Sequence, residues 1–278
     1  MSPSTNNLLL SIDEPFRTLW RGQDPFLAVE QLEGQVFREL EARRTLRTKV
    51  AGHGYFVKIH RGVGWAEILK NLCFLRQPVL GAENEWQAIQ RLAELGVDTM
   101  HGVAFGQRGE NPATRHSFIV TEELQPTISL EDFCRDWPQT PPPVALKWAL
   151  IRRVAEMAGS MHRGGVNHRD FYICHFLLHL DPAPAADQLK LSLIDLHRAQ
   201  VRGKIPRRWR DKDLASLYFS TLAIGLTRND CLRFLRTYFG KTLRAVLSED
   251  AELLAYLVRE ADRLQARFLR KYARRNPE

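Results

Sequence analysis

The stretch Val166-Asn167-His168-Arg169-Asp170-Phe171-Tyr172-Ile173-Cys174-His175-Phe176-Leu177-Leu178 decides how the rest of the chain is read. Residues 167 to 175 form a polar run without apolar periodicity, which predicts a loop, and Phe176 to Leu178 then predicts a short buried strand. Upstream, Leu146, Leu150, Val154, Met157 and Met161 make one apolar stripe closed by Gly164 and Gly165, the pattern of a long helix with its stop. His168-Arg169-Asp170 therefore belongs on a loop between a helix and a strand. A carboxylate displayed there can accept the proton of an attacking hydroxyl, which assigns Asp170 as a candidate catalytic base with Arg169 and His168 beside it. The plainer reading is a solvated charged loop.

The next signal downstream is Leu193-Ile194-Asp195-Leu196-His197, an aspartate leaving an apolar strand. A hard magnesium ion needs carboxylate oxygen on a rigid element near a triphosphate, and a strand end supplies it, so Asp195 is the candidate Mg2+ ligand. His-Arg-Asp followed by such an aspartate has the form of a kinase catalytic loop and metal site, although the later positions depart from Asp-Phe-Gly.

Toward the N-terminus, Val36 and Phe37, Thr45 to Val50 and Tyr55 to Ile59 predict three short strands, with Gly52 and Gly54 turning the last pair. Tyr55-Phe56-Val57-Lys58 places a lysine inside a strand, a costly position unless the ammonium meets phosphate or carboxylate. Trp86, Ile89, Leu92 and Leu95, followed by Gly96, predict a helix over 83–95, and Glu85 on its first turns is the expected partner of Lys58. Taken singly, Glu85 is equally a helix N-terminal charge and Lys58 a snorkelling lysine. Phe118 to Val120 predicts a strand running into Glu122-Glu123-Leu124, a hinge placed to touch the nucleotide. The joint order of strand lysine, helix glutamate, hinge, long helix, His-Arg-Asp, strand and Ile-Asp-Leu predicts an α+β, protein-kinase-like bilobal fold. A small antiparallel-sheet lobe with one helix, residues 1–124, would bind ATP, and a larger, mainly helical lobe, 125–278, would carry catalysis and the acceptor.

Two features depart from that scheme. No Gly-x-Gly-x-x-Gly precedes Lys58; the predicted loop is Glu41-Ala42-Arg43-Arg44-Thr45, where Arg43 and Arg44 would take the place of a backbone phosphate cradle. Five residues after Asp170 stands His175, and imidazole is a poor magnesium ligand, so His175 is expected to donate to a nucleotide phosphate oxygen.

The chain has 278 residues, 44% of them hydrophobic, enough for a substantial core. No run approaches the length of apolar sequence that crosses a bilayer and no basic leader is visible, so a cytoplasmic enzyme is expected. Cys73, Cys134, Cys174 and Cys231 are isolated from one another, which favours reduced structural thiols. A net charge of +8 favours anionic partners without choosing among them.

The segments Val166 to Leu178 and Ser192-Leu193-Ile194-Asp195-Leu196-His197-Arg198-Ala199 closely resemble the lipopolysaccharide core heptose kinase family of Gram-negative bacteria, and the likeness spans nearly the whole chain. It implies ATP-dependent phosphorylation of the first heptose of the inner core, with a glycolipid acceptor (heptose on Kdo-lipid A) at the cytoplasmic face of the inner membrane. It implies Asp170 as base, Lys58 and Glu85 as the nucleotide pair, Asp195 as metal ligand, and His175 as the family's own residue. Acyl carrier protein is a further implied partner, peripheral contact with the inner membrane is implied, and nucleic acid is not expected.

Between Asp195 and Asp213 lie Arg198, Arg202, Lys204, Arg207, Arg208, Arg210 and Lys212 against the single acid Asp211. That density suits an acceptor rich in carboxylates, with Arg198, Arg207, Arg208 and Arg210 as candidate contacts; a solvated loop is the alternative. Asp213, expected to open the next helix, would hold the catalytic loop by hydrogen bonds. In the last helical segment Leu257, Leu264 and Phe268 make an apolar stripe, while Arg259, Arg263, Arg267, Lys271 and Arg275 recur every four residues. A protein kinase of the same fold and an inactive kinase-like binding module remain as rival functions.

Overall fold

Strand alternation organises the first half of the chain in the computed structural model, which describes residues 8–73 and 79–275. Strands β1 (Leu9–Ile12), β2 (Gln35–Leu40), β3 (Arg43–Val50), β4 (His53–His60), β5 (Gly102–Arg108) and β6 (His116–Glu122) form one antiparallel sheet in the order β1-β5-β6-β4-β3-β2. Cross-strand partners share a face and successive residues alternate, so the register sorts every side chain. Leu46, Val57 and Val120 stand opposite one another, as do Ile59 and Phe118, on a face covered by α1 (Phe16–Leu19) and α2 (Pro25–Glu30). Phe16, Trp20, Phe26 and Val29 complete that core, with Phe16 edge-on to Tyr55 at 5.0 Å and Trp20 edge-on to Phe118 at 5.7 Å. Burying each such side chain contributes about 1.5–3 kcal/mol.

The other face bears Lys58 opposite Thr45 and Ile119, His60 opposite Arg43 and Ser117, and Arg38 opposite Thr45. Helix α4 (Glu83–Glu94) lies on this side, with Trp86 stacked on Phe105 at 5.2 Å and the Ala82 N–H bonded to the Ser117 hydroxyl at 3.0 Å. A further helix, α3 (Gly64–Cys73), follows β4.

Several expectations for this half are corrected. Among the described residues the sheet has six strands, against an expected meander of three with one more beyond, and four helices accompany it where one was expected. β1, α1 and α2 have only four to six residues, too few apolar positions to show a period, whereas α3 carries a helical repeat at Trp65, Ile68, Leu69 and Leu72. The turn between β3 and β4 is Ala51–Gly52, both at positive φ (50° and 83°), the geometry of a two-residue hairpin; Gly54 is inside β4. A Cβ on Gly54 would run into the Glu123 side chain, so that glycine makes room for a carboxylate. Arg43 and Arg44 begin β3 instead of lying in a loop.

The second half contains β7 (Thr127–Ser129), α5 (Leu130–Phe133), α6 (Val144–Arg163), β8 (Val166–Asn167), β9 (Phe176–His179), β10 (Leu191–Leu193) and β11 (Gln200–Val201), then α7 (Arg207–Ser220), α8 (Arg228–Phe239), α9 (Leu243–Glu249) and α10 (Ala251–Arg275). β10, β9 and β7 form a small antiparallel sheet, and β8 pairs with β11. Ser129 caps α5 by accepting the Asp132 N–H, and Thr227 with Asp230 forms a capping box on α8. The predicted stripe of α6 is buried at Leu150, Val154, Met157 and Met161. The chain divides into two units, Met1–Gln90 with Met100–Leu124 and Leu196–Arg198, and Arg91–Thr99 with Gln125–Asp195 and Ala199–Glu278.

Two helix boundaries differ from expectation. α7 starts at Arg207, so the basic residues 207–212 are helical and Asp213 is interior to the helix. Along α10, Leu257 is buried but Phe268 is 57% exposed, so the stripe packs only over its first part. A cavity of about 420 Å³ in the second unit is walled almost wholly by apolar side chains, among them Leu150, Val154, Leu217, Leu235, Leu254 and Leu257.

Candidate active site

In the first unit, Lys58 Nζ lies 2.7 Å from Glu85 Oε1, with the lysine side chain 16% and the glutamate 1% exposed. Position 58 is mid-strand and position 85 is in the first turn of α4, so the strand and the helix bring the pair together. A carboxylate buried so deeply is tolerated because a cation stands beside it. The second oxygen, Oε2, is buried without a hydrogen bond among the described residues.

Arg43 shares the face of Lys58, by its register with His60. Arg44 does not: its register with Ile59 turns it to the opposite face, where it donates to the Glu30 carbonyl at 2.7 Å and pairs with Glu39 at 3.0 Å. The expectation that Arg43 and Arg44 act together is therefore corrected, because adjacent strand residues point to opposite sides of a sheet. Arg38 and His60, which carry no recognisable motif in the sequence, lie on the Lys58 face. His60 is buried, and burial, together with the neighbouring charges of Arg43 and Lys58, lowers its pKa to about 3. The imidazole is neutral at physiological pH. At the hinge, Glu123 pairs with Arg47 at 2.8 Å and Glu122 with His101 at 3.4 Å, while their N–H groups bond to the carbonyls of Gly54 and His101. Leu124 is half-buried at the end of this stretch.

In the second unit, Asp213 is buried on α7 and accepts the N–H of His168 at 2.7 Å and of Arg169 at 2.8 Å. The two bonds hold the backbone on either side of Arg169, whose φ of 72° is a left-handed conformation that costs a side-chain-bearing residue roughly 1–2 kcal/mol. The His168 ring Nε2 lies 2.9 Å from the Ile194 carbonyl, which can only accept, so Nε2 carries the proton. Burial holds this imidazole below its ordinary pKa. Ile194 also donates its N–H to the His175 carbonyl at 2.9 Å. The residue before Asp195 is thus tied twice to the loop that displays Asp170.

His175 completes the constellation. Its Nδ1 donates to the Asp170 carbonyl at 2.7 Å, its Nε2 stands 3.6 Å from Asp195 Oδ2, and its ring stacks on His168 at 5.5 Å. Asp195, at φ 63°, presents a carboxylate about one-third exposed. The described residues hold no group of three or more side chains suited to a metal. A single, partly exposed carboxylate fits magnesium in the form it takes with nucleotides, where phosphate oxygens and water complete the shell.

Of the acceptor candidates, Arg207 and Arg208 are exposed on the first turn of α7, and the Arg208 guanidinium lies 5.0 Å from the Trp209 ring. Arg169 and Lys212 also face Trp209, at 5.6 and 4.9 Å. Arg210 differs from its neighbours: it pairs with Asp211 at 2.7 Å, so its charge is locally offset. Arg198 is half-buried in the turn Leu196–Arg198. Sequence reasoning misses His162 and Tyr238, which contact Asp213 directly and in turn; a histidine next to Met161 in the apolar stripe is the available signal, and Tyr238 gives none.

An antiparallel sheet with a strand lysine paired to a helix glutamate, and a helical unit whose aspartate-anchored loop carries Asp170 and is linked through His175 to Asp195, define a protein-kinase-like phosphotransferase. Residues 27–238 match the model of the lipopolysaccharide kinase (Kdo/WaaP) family, and the chain belongs to that family. It is 63% identical to the lipopolysaccharide core heptose(I) kinase WaaP of Pseudomonas aeruginosa over 258 residues, 93% of this chain and 96% of that protein. The enzyme of the same name from Escherichia coli is 57% identical over 263 residues, 95% of this chain and 99% of that protein. A solved structure, WaaP in complex with acyl carrier protein, matches with a TM-score of 0.83 and 59% identity, covering 92% of this chain and 99% of that one.

Proposed function

We propose that this protein is a heptose(I) kinase that transfers the γ-phosphoryl group of ATP to the first heptose of the lipopolysaccharide inner core. Identity of 56–63% over nearly the full length to enzymes of that name carries the reading. The Lys58–Glu85 pair orients the nucleotide phosphates, with Arg43 on the same sheet face supplying charge where a glycine-rich loop is lacking. Asp170 accepts the proton of the heptose hydroxyl as its oxygen bonds to the γ-phosphorus and the bond to the ADP oxygen breaks. Asp195 would hold magnesium, which supplies charge neutralisation at the phosphates. His175 fixes the separation of the two carboxylates, a role its hydrogen bond to the Asp170 carbonyl supports better than direct donation to phosphate.

Arg207 and Arg208, exposed and outside any ion pair within the helix turn, are the better acceptor contacts, and Arg210 the weaker one. The acceptor is a glycolipid, so the enzyme works at the cytoplasmic face of the inner membrane; no helix among the described residues is long and apolar enough to cross it. Acyl carrier protein is a partner on this reading. The solved relative, a WaaP bound to acyl carrier protein, supports it, and the apolar cavity of the second unit has the chemistry of an acyl-chain site. Offering labelled ATP with either the dephosphorylated core glycolipid or a generic protein acceptor tests the assignment: label must pass to the glycolipid and not to the protein.

A further inference from the structure

Three buried side chains from three helices form a chain that ends on the catalytic loop. The Tyr238 hydroxyl on α8 lies 2.8 Å from His162 Nδ1 on α6, and His162 Nε2 lies 3.3 Å from Asp213 Oδ2 on α7. The same carboxylate accepts the N–H of His168 and of Arg169. Tyr238, His162 and Asp213 are 4%, 7% and 1% exposed, so water does not substitute for any link. The directions of the bonds follow from chemistry. An ionised carboxylate only accepts, so His162 Nε2 donates to Asp213, and with the proton on Nε2 alone the remaining nitrogen, Nδ1, accepts from the phenol. Burial pushes the Tyr238 phenol well above its ordinary value, so the donor proton is retained.

The approach of α8 to α6 is built for this contact. At Gly159, a Cβ would come within 3.0 Å of the Tyr238 carbonyl, and Arg163 donates to that carbonyl at 2.9 Å. Tyr238 is thereby fixed by its main chain as well as its hydroxyl. We propose that Tyr238 and His162 are positioning residues for phosphoryl transfer: they orient Asp213, and through it the His168–Arg169 backbone that presents Asp170. The inference rests on the kinase reading above. Neither residue touches the reacting atoms.

Tyr238→Phe removes one hydroxyl and nothing else. It is expected to lower kcat about tenfold while KM for ATP stays within twofold, because the nucleotide pair belongs to the other unit. Hydrogen exchange, which needs no substrate, should rise at the amides of His168 and Arg169 while the core of α6 keeps its protection. His162→Gln breaks the same chain from its middle and serves if Tyr238→Phe does not fold. The double variant should be no worse than the more affected single one, since both cut one path. Unchanged exchange at the two loop amides, or losses that multiply in the double variant, would overturn the proposal. An inactive wild-type protein would remove the kinase reading while leaving the exchange result to decide the positioning chain.

Discussion

His175 and Asp195 face one another across 3.6 Å, imidazole Nε2 to carboxylate Oδ2, while the opposite ring nitrogen of His175 is committed to the Asp170 carbonyl. One side chain therefore spans from the loop carrying Asp170, the proposed base, to Asp195, the proposed magnesium ligand. Asparagine is too short to reach both. His175→Asn is expected to reduce turnover by one to two orders of magnitude, and raising magnesium should not restore it. Steady-state rates across a magnesium titration check this, and recovery at high magnesium would make position 175 a metal position.

Removing Lys58 leaves the Glu85 carboxylate buried beside an empty place. Lys58→Ala should destabilise the fold by about 3 kcal/mol, the scale of breaking a buried ion pair, and slow single-turnover transfer. Denaturant unfolding and rapid-quench rates measure the two effects separately. Equal single-turnover rates in variant and wild type would remove Lys58 from nucleotide positioning.

His60 gives stability a pH dependence whose sign is fixed. Its folded pKa is about 3 against an unfolded value near 6.5, so below pH 6.5 the unfolded chain binds the extra proton and stability falls with pH. At pH 5 the loss from this group amounts to roughly 2 kcal/mol. His60→Gln should flatten the decline of Tm between pH 6.5 and 5 relative to wild type. A parallel decline in both proteins would contradict the buried neutral imidazole.

The C-terminal helix presents cations to solvent. Arg263 is held by Glu260 through contacts of 2.6 and 2.9 Å, whereas Arg267 and Lys271 are exposed along with Phe268 and Leu269. The side chain of Arg275 lies outside the described residues. Charges and apolar groups together suit an anionic bilayer, at up to about 1 kcal/mol per cation near the surface. Replacing Arg263, Arg267 and Lys271 by Gln should reduce co-sedimentation with anionic vesicles at low salt and leave activity on a soluble acceptor fragment nearly unchanged. Equal binding would make the stripe plain surface.

Much of this arrangement is legible in the sequence, and the reasons are physical. The stripe of α6 and the polar run after its two glycines are local patterns, so periodicity alone places the loop bearing Asp170. Order along the chain pairs Lys58 with Glu85, and strand and helix geometry brings them to 2.7 Å. Arg44 is misjudged because its face depends on strand register, which a turn two residues long sets and composition does not reveal. β1, α1 and α2 escape notice because elements of four to six residues show no period. Tyr238 is out of reach, since its partner lies 76 positions away and only helix packing joins them.

The central claim is tested most directly by mass spectrometry on one reaction run with two proteins. Wild type and Asp170→Asn are incubated with ATP, magnesium and dephosphorylated inner-core glycolipid, and the added phosphate is located and counted. The account predicts phosphate on the first heptose with wild type and about 10² to 10⁴ times slower transfer with the variant, whose fold and ATP binding are retained. No phosphate on the glycolipid with wild type, or equal rates in the two proteins, would contradict it.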